Sequence, residues 1–283
     1  MTEKSTVRTR EMGIELKAQR EEKQISLREL ARRADWSASK VSGWENGRRI
    51  SPIDAAIYLA HCGTRAPERD RLLELTRPPS DLYWVRPFFS KLVDPAKSLI
   101  VQENVATTVI TNSPTALPGM LQTEDYLRSV YELSGRYTTD RLQHLVQARI
   151  DQQQLLQRRD PPQCIYFVYE HTLRSVLRDP ALMHEQIQSL VLATNLPHCT
   201  IRVVPASAPP YHLVGSRFTI LEFAEHPPVA YEETFAAGLF IDERVAVEAF
   251  YVLLTRLEQA ALSERESREF LVRLAEEFEL MAT

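Results

Sequence analysis

The side chains with chemistry to offer gather in one short run. Ala38, Ser39, Lys40, Ser42 and Gly43 lie on the outward side of a helical pattern of about nine residues whose inward pair is Val41 and Trp44. Short hydroxyl side chains donate or accept at base edges, a lysine supplies positive charge, and alanine and glycine keep the surface low. Such a face enters a DNA major groove without steric conflict, and its chemistry is hydrogen-bonded recognition. Arg48 and Arg49 follow at once; two arginines after a helix are ordinarily just solvated, and only their place beside this helix gives them weight.

That face needs a support, and residues 26–47, SLRELARRADWSASKVSGWENG, read as two short amphipathic helices joined by a tight turn. Leu27, Leu30, Ala31 and Ala34 recur at the i, i+3, i+4, i+7 spacing of one helix face, with Arg28, Arg32 and Arg33 on the others. Ser26 and Glu29 have the spacing of a capping box, Ser37 that of a second N-cap, and Asn46-Gly47 ends the pair. An αα-hairpin inside a helical bundle would share part of this pattern. Caps, turn, inward pair, glycine stop and flanking arginines nevertheless agree on a helix-turn-helix.

Upstream, residues 12–22 predict a covering helix carrying Ile14, Leu16 and Ala18, with Arg8 and Arg10 in a terminal arm that is expected to fray, an arm reaching DNA being the alternative. Downstream, Ser51-Pro52-Ile53-Asp54 opens a fourth helix running to Gly63, and residues 67–76 make a fifth with Leu72, Leu73 and Leu75 inward. Five helices in some seventy residues predict an all-α N-terminal domain. Arg77-Pro78-Pro79-Ser80 reads as a stop and stiff spacer, so the expected domains are 1–77 and 78–283.

Charge divides the chain at the same place. Residues 1–77 carry 16 Lys and Arg against 12 Asp and Glu (net +4), and residues 78–283 carry 18 against 26 (net −8). Only the first part has the sign that displaces counterions from phosphate, so the overall charge of −4 does not argue against nucleic acid. At 44% hydrophobic and 25% charged, the composition is that of an ordinary folded protein, and a cytoplasmic location without membrane span or secretory leader is expected. Cys62, Cys164 and Cys199 show no CxxC spacing, which predicts reduced, buried thiols and no metal site.

The second region alternates strand-like and helix-like segments. Strands are predicted at 106–111, 164–169, 200–204, 217–223 and 229–235, and helices at 124–133, 139–158, 171–178, 180–194, 242–262 and 263–281. With no strict βα alternation, this is an α+β domain. His198-Cys199 lacks further ligands at metal spacing, Glu170-His171 serves a strand-to-helix junction more readily than acid-base chemistry, and Pro118-Gly119 is first of all a turn. No GxGxxG, GxxxxGK[ST] or GxSxG occurs, so neither cofactor nor enzyme activity is expected. Residues 242–262 are apolar almost all round, which predicts a core helix or a dimer interface.

Residues 12–63 resemble the Cro and phage-repressor (XRE-like) type of helix-turn-helix. The recognition segment common there, small-V-S-x-S-T-I-S-x-I-E-N-G, stands here as Asp35-Trp36-Ser37-Ala38-Ser39-Lys40-Val41-Ser42-Gly43-Trp44-Glu45-Asn46-Gly47. The whole chain is similar to WhiJ-like, antitoxin-like regulators of actinomycetes. That likeness rests on residues 117–123 (LPGMLQT), Ala148-Arg149 with Gln152-Gln153, Glu170 with Leu173-Arg174, Val203-Val204-Pro205, residues 218–223, Tyr231-Glu232 and residues 261–267. The resemblance implies that Ser39, Lys40, Ser42 and Gly43 face the groove and that Asn46, Arg48 and Arg49 lie near phosphate; to these the reading of the residues adds Ala38 on the groove side and Arg28 as a further phosphate contact. The resemblance departs at Leu27, where many relatives carry glutamine, and at Gly43, a mid-helix glycine costing about 1 kcal/mol against alanine.

The expected function is a sequence-specific regulator of transcription, a repressor or modulator, that binds double-stranded DNA as a homodimer on half-sites about 34 Å apart. The resemblance adds a small protein partner encoded nearby that acts through the C-terminal domain. A small-molecule effector, held by Tyr166, Tyr169, Phe218 and Tyr231, is the alternative, and a DNA-tethered enzyme is the third possibility.

Overall fold

A computed structural model describes residues 5–76, 83–87, 95–135, 137–211, 217–234 and 237–282. The expected spacer Arg77-Pro78-Pro79-Ser80, and Phe235 at the end of a predicted strand, lie outside the described residues. The chain divides into two units: one drawn from Met1–Val105 and Glu225–Val247, the other from Ala106–Ala224 and Glu248–Thr283.

In the first unit, five helices enclose one apolar core: α1 (Val7–Glu22), α2 (Leu27–Arg33), α3 (Ala38–Glu45), α4 (Pro52–His61) and α5 (Ala66–Glu74). Met12, Leu16, Leu30, Val41, Trp44, Ala55, Tyr58, Leu59 and Leu72 form that core. The caps at Ser37 and Ser51 form as their spacing predicts, accepting from Lys40 N at 3.1 Å and Asp54 N at 3.0 Å. At Ser26 only half the box forms: its hydroxyl accepts from Glu29 N, while the Glu29 carboxylate is taken by the guanidiniums of Arg32 and Arg33. Charge-assisted bonds to two arginines outcompete a single backbone amide.

Helix α1 begins five residues before the expected start. Thr6 and Thr9 cap each other's backbone N–H groups. Arg8 donates to Leu75 O at 2.9 Å and to Glu74 O, and Arg10 is buried, so the expected fraying arm is instead a docked first turn. Burial lowers the Arg10 guanidinium to about 10. Ala18 is exposed, and the inward face carries Arg10, Glu11, Glu15 and Arg20 beside Met12 and Leu16. Charged residues can occupy it because partners of opposite sign meet them, as Arg71 meets Glu15 at 3.0 Å.

The same unit holds elements not read from the sequence: β1 (Tyr83–Pro87), α6 (Pro95–Glu103) and β7 (Ala237–Ile241). With β6 (Val229–Glu233) they give an antiparallel set in the order β1-β7-β6. Ser98 of α6 donates to Glu11 at 3.3 Å and Asp242 accepts from Val7 N at 3.2 Å, which tie α1 to this β-containing part.

The second unit centres on β2 (Thr108–Ser113), β3 (Gln163–Tyr169), β4 (Cys199–Val204) and β5 (Phe218–Glu222). Strands β2, β3 and β4 are parallel, and β5 runs antiparallel to β2. Around them lie α7 (Glu124–Ser134), α8 (Thr139–Gln153), α9 (Glu170–Arg174), α10 (Pro180–Ala193), the body of α11 (Arg244–Ala260) and α12 (Glu264–Ala282). The capping box at Ser263 forms fully with Glu266. The chain is therefore an all-α helix-turn-helix domain followed by an α+β domain, as its segments predict.

Candidate nucleic-acid interface

Helix α3 is held from beneath by a buried polar knot. Glu45 accepts two bonds from Arg20, each 2.7 Å, and one from the Tyr58 hydroxyl at 2.7 Å, while Arg20 Nη1 donates to Ile25 O at 2.9 Å. All three side chains are buried, and they join α1, α3 and α4. The bonds to Glu45 raise the Arg20 pKa above its ordinary value, and burial followed by the Glu45 bond raises that of Tyr58. A glycine completes the fit: a β-carbon on Gly13 of α1 would stand 2.5 Å from Trp44 O and 2.7 Å from Glu45 O. Backbone meets backbone there, and the exit of α3 is set by it.

With Val41 and Trp44 inward, Ala38 and Ser39 are exposed and Ser42 and Gly43 half-buried on the opposite side. Asn46 donates to Ser42 Oγ at 3.3 Å, so these two present a joint polar edge. Gly47 ends the helix at φ +88°. Arg28, Asn46, Arg48 and Arg49 are all exposed, and of these Asn46 and Arg48 contact α3.

Lys40 is placed differently from a free groove-facing lysine. Its Nζ lies 4.7 Å from the centre of the Trp44 ring, 5.2 Å from that of Trp36 and 3.4 Å from Asp54 Oδ1. The two indoles meet edge to face at 4.8 Å and form the seat. Arg48 turns back over α3, donating to Lys40 O at 3.1 Å and filling the space above Gly43. Leu27, where relatives carry a polar residue, packs against the domain's own core.

Gly13, Arg20, Glu45 and Tyr58 hold this interface without facing it, and sequence reasoning missed them as a set. The available signal was a glycine and an arginine inside an otherwise charged helical segment, opposite a Trp-Glu pair.

Candidate groups elsewhere have other partners. The Glu170 carboxylate accepts from Ala206 N and from Arg174, each at 2.8 Å, which lowers its pKa, whereas His171 Nε2 meets Pro114 O at 2.7 Å. His198 Nε2 lies 2.8 Å from Leu156 O. Among the described residues, no three His, Cys, Asp or Glu side chains gather as a metal site. Tyr166 and Tyr169, three apart on β3, point to opposite faces. Phe218 shares a core with Tyr169, and Tyr231 packs on Phe240 in the first unit. Tyr166 and Tyr169, expected to line one pocket, therefore do not share a face.

A five-helix domain whose α3 is exposed on one side and knotted to α1 and α4 on the other is a helix-turn-helix DNA-binding domain, and residues 11–72 match the family model described as a helix-turn-helix domain. Residues 96–273, more than half of the chain, match the domain of unknown function DUF5753, and the protein belongs to that family. Comparison with curated proteins returns no match. Among the described residues, no helix is long and apolar enough to cross a membrane.

Proposed function

We propose that this DNA-binding regulator represses or modulates transcription in the cytoplasm as a homodimer, reading DNA with α3 and catalysing no reaction. One observation carries the reading: α3 presents Ala38, Ser39, Ser42 and Asn46 outward from a base made rigid by the Arg20–Glu45–Tyr58 knot. Phosphate contacts fall to Arg28, Arg48 and Arg49. The positive charge of residues 1–77 supports this assignment. So few base-reading side chains favour a two-fold dimer, which doubles the contacts made.

Control by a small protein partner rests on the similarity to WhiJ-like regulators and on the net charge of −8 beyond residue 77. A route for linkage is available within the first unit. Helix α1 bears on α3 through Gly13 and Arg20 and on the family domain through Glu11–Ser98 and Val7–Asp242.

The test is fluorescence anisotropy on fragments recovered from a genome-wide binding map. Ser39→Ala with Arg49→Ala should weaken binding at least tenfold and reduce the salt slope by about one. Unchanged affinity and slope would overturn the assignment of α3. A stoichiometric small protein on native co-purification supports partner control, and its absence from an active preparation argues against it.

A further inference from the structure

The outward face of α11 in the second unit is complementary to itself. Its inward side is fixed: Leu254 and Leu257 are buried with Phe250 and Leu253 packed alongside, and the Tyr251 hydroxyl donates to Glu222 at 2.7 Å, which sets the helix's rotation. Opposite them, Glu248, Ala249, Val252, Thr255 and Arg256 are all exposed, Val252 by 57%. At helical spacing, Val252 lies on the centre line, with Glu248 one turn before it and Arg256 one turn after.

We propose that this face pairs antiparallel with the same face of a second copy, about a two-fold axis through Val252. This inference rests on the homodimer reading above and supplies the surface for it. In a two-fold contact, residues equidistant from the axis meet. Val252 then meets Val252 of the second copy, and Glu248 meets Arg256 of the second copy, twice over. Ala249 meets Thr255 of the second copy, small side chains on both sides that let the helices approach closely. A parallel pairing would set Glu248 against Glu248 and Arg256 against Arg256. The charge order therefore selects both the partner and the direction.

The contact is small. Two helical turns on each side bury on the order of 600 Å², about half of the least that specific stable interfaces bury, so association is weak in free solution and is reinforced when two copies share one DNA site.

Sedimentation equilibrium on the full chain should show dimer forming only at ~10–100 µM. Glu248→Arg or Arg256→Glu alone sets like charges together and weakens association about tenfold or more. An equimolar mixture of those two variants restores it, because each cross-pair is again opposite in sign, and the double variant also restores it. Val252→Cys should cross-link under mild oxidation, whereas Leu133→Cys, more accessible still at 77% exposure, should not. Single reversals that associate like wild type, or a mixture that fails to recover, overturn the α11 contact. If wild type then still occupies DNA as a dimer, the homodimer reading stands without it. A wild type that is monomeric both free and on DNA overturns both.

Discussion

The Arg48 guanidinium lies directly over Gly43: a β-carbon on that glycine would stand 2.9 Å from Arg48 Cζ. The mid-helix glycine thus makes room for an arginine that folds back to Lys40 O. The obstacle is the far end of a flexible side chain, which can move away. Gly43→Ala should therefore keep or raise stability, by up to about 1 kcal/mol from helix propensity. It should weaken DNA binding by adding a methyl group to the reading face and dislodging Arg48. Thermal melting and anisotropy on the same sample check both signs.

Gly13 gives the opposite sign from the same substitution. Helix propensity again favours alanine, but the atoms in the way are the Trp44 and Glu45 carbonyl oxygens, which cannot step aside. Gly13→Ala should destabilise the first unit by about 1–3 kcal/mol, read as a shifted urea midpoint.

Glu45 and Arg20 should prove unequal to the sum of their parts. In a Tyr58→Phe background, which leaves no buried hydroxyl without its acceptor, Glu45→Leu strands the buried guanidinium and should cost about 3–5 kcal/mol, whereas Arg20→Met with Glu45→Leu should come close to that background. Denaturant titration of the two singles and the double forms the cycle. Tyr58→Phe, losing one of the bonds to Glu45, should cost about 1–2 kcal/mol.

What could be read from the sequence was local. Ser37 and Ser51 cap their helices because an N-cap acts over three residues, and Val41 and Trp44 declare the inward side of α3 by spacing alone. Arg20–Glu45–Tyr58 could not be read, since each partner is an ordinary polar residue until α1, α3 and α4 cross. Strand β7 was missed for a related reason: its five residues begin with Ala-Gly, and while one edge pairs with neighbouring β6, the other pairs with β1, some 150 positions earlier. From the sequence Lys40 was legible only as a cation on the outward side of α3. Its position over two indoles depends on Trp36 in the turn and Asp54 in the next helix.

The thiols should be silent in the native state. Burial pushes the Cys62 thiol up to about 11 and the Cys199 thiol up to about 12, and Cys164 is likewise buried, opposite Cys199. At pH 8 iodoacetamide should label none of the three until guanidinium unfolds the chain, as intact mass would show. The sign for stability follows from the direction of the shift. Below pH 9 both states keep their protons; above it the unfolded thiols lose theirs first, so these groups lower stability progressively between pH 9 and about 12.

Asp54 should act as a brake on DNA binding. Its carboxylate is 3.4 Å from Lys40 Nζ, holding the ammonium over Trp36 and Trp44, and it adds negative charge beside the reading face. Its backbone N–H, not its carboxylate, receives the Ser51 cap, so Asp54→Asn spares the helix start apart from the Ser51 hydroxyl's bond to Oδ2, which the amide oxygen can still accept. Removing the charge releases Lys40 and takes one repulsion from phosphate. Affinity should rise severalfold and the salt dependence should steepen by about one counterion. Lys40→Met separates the two contributions. If the released lysine accounts for the gain, Asp54→Asn should do little in a Lys40→Met background, and an undiminished gain there would assign the effect to the carboxylate's own repulsion.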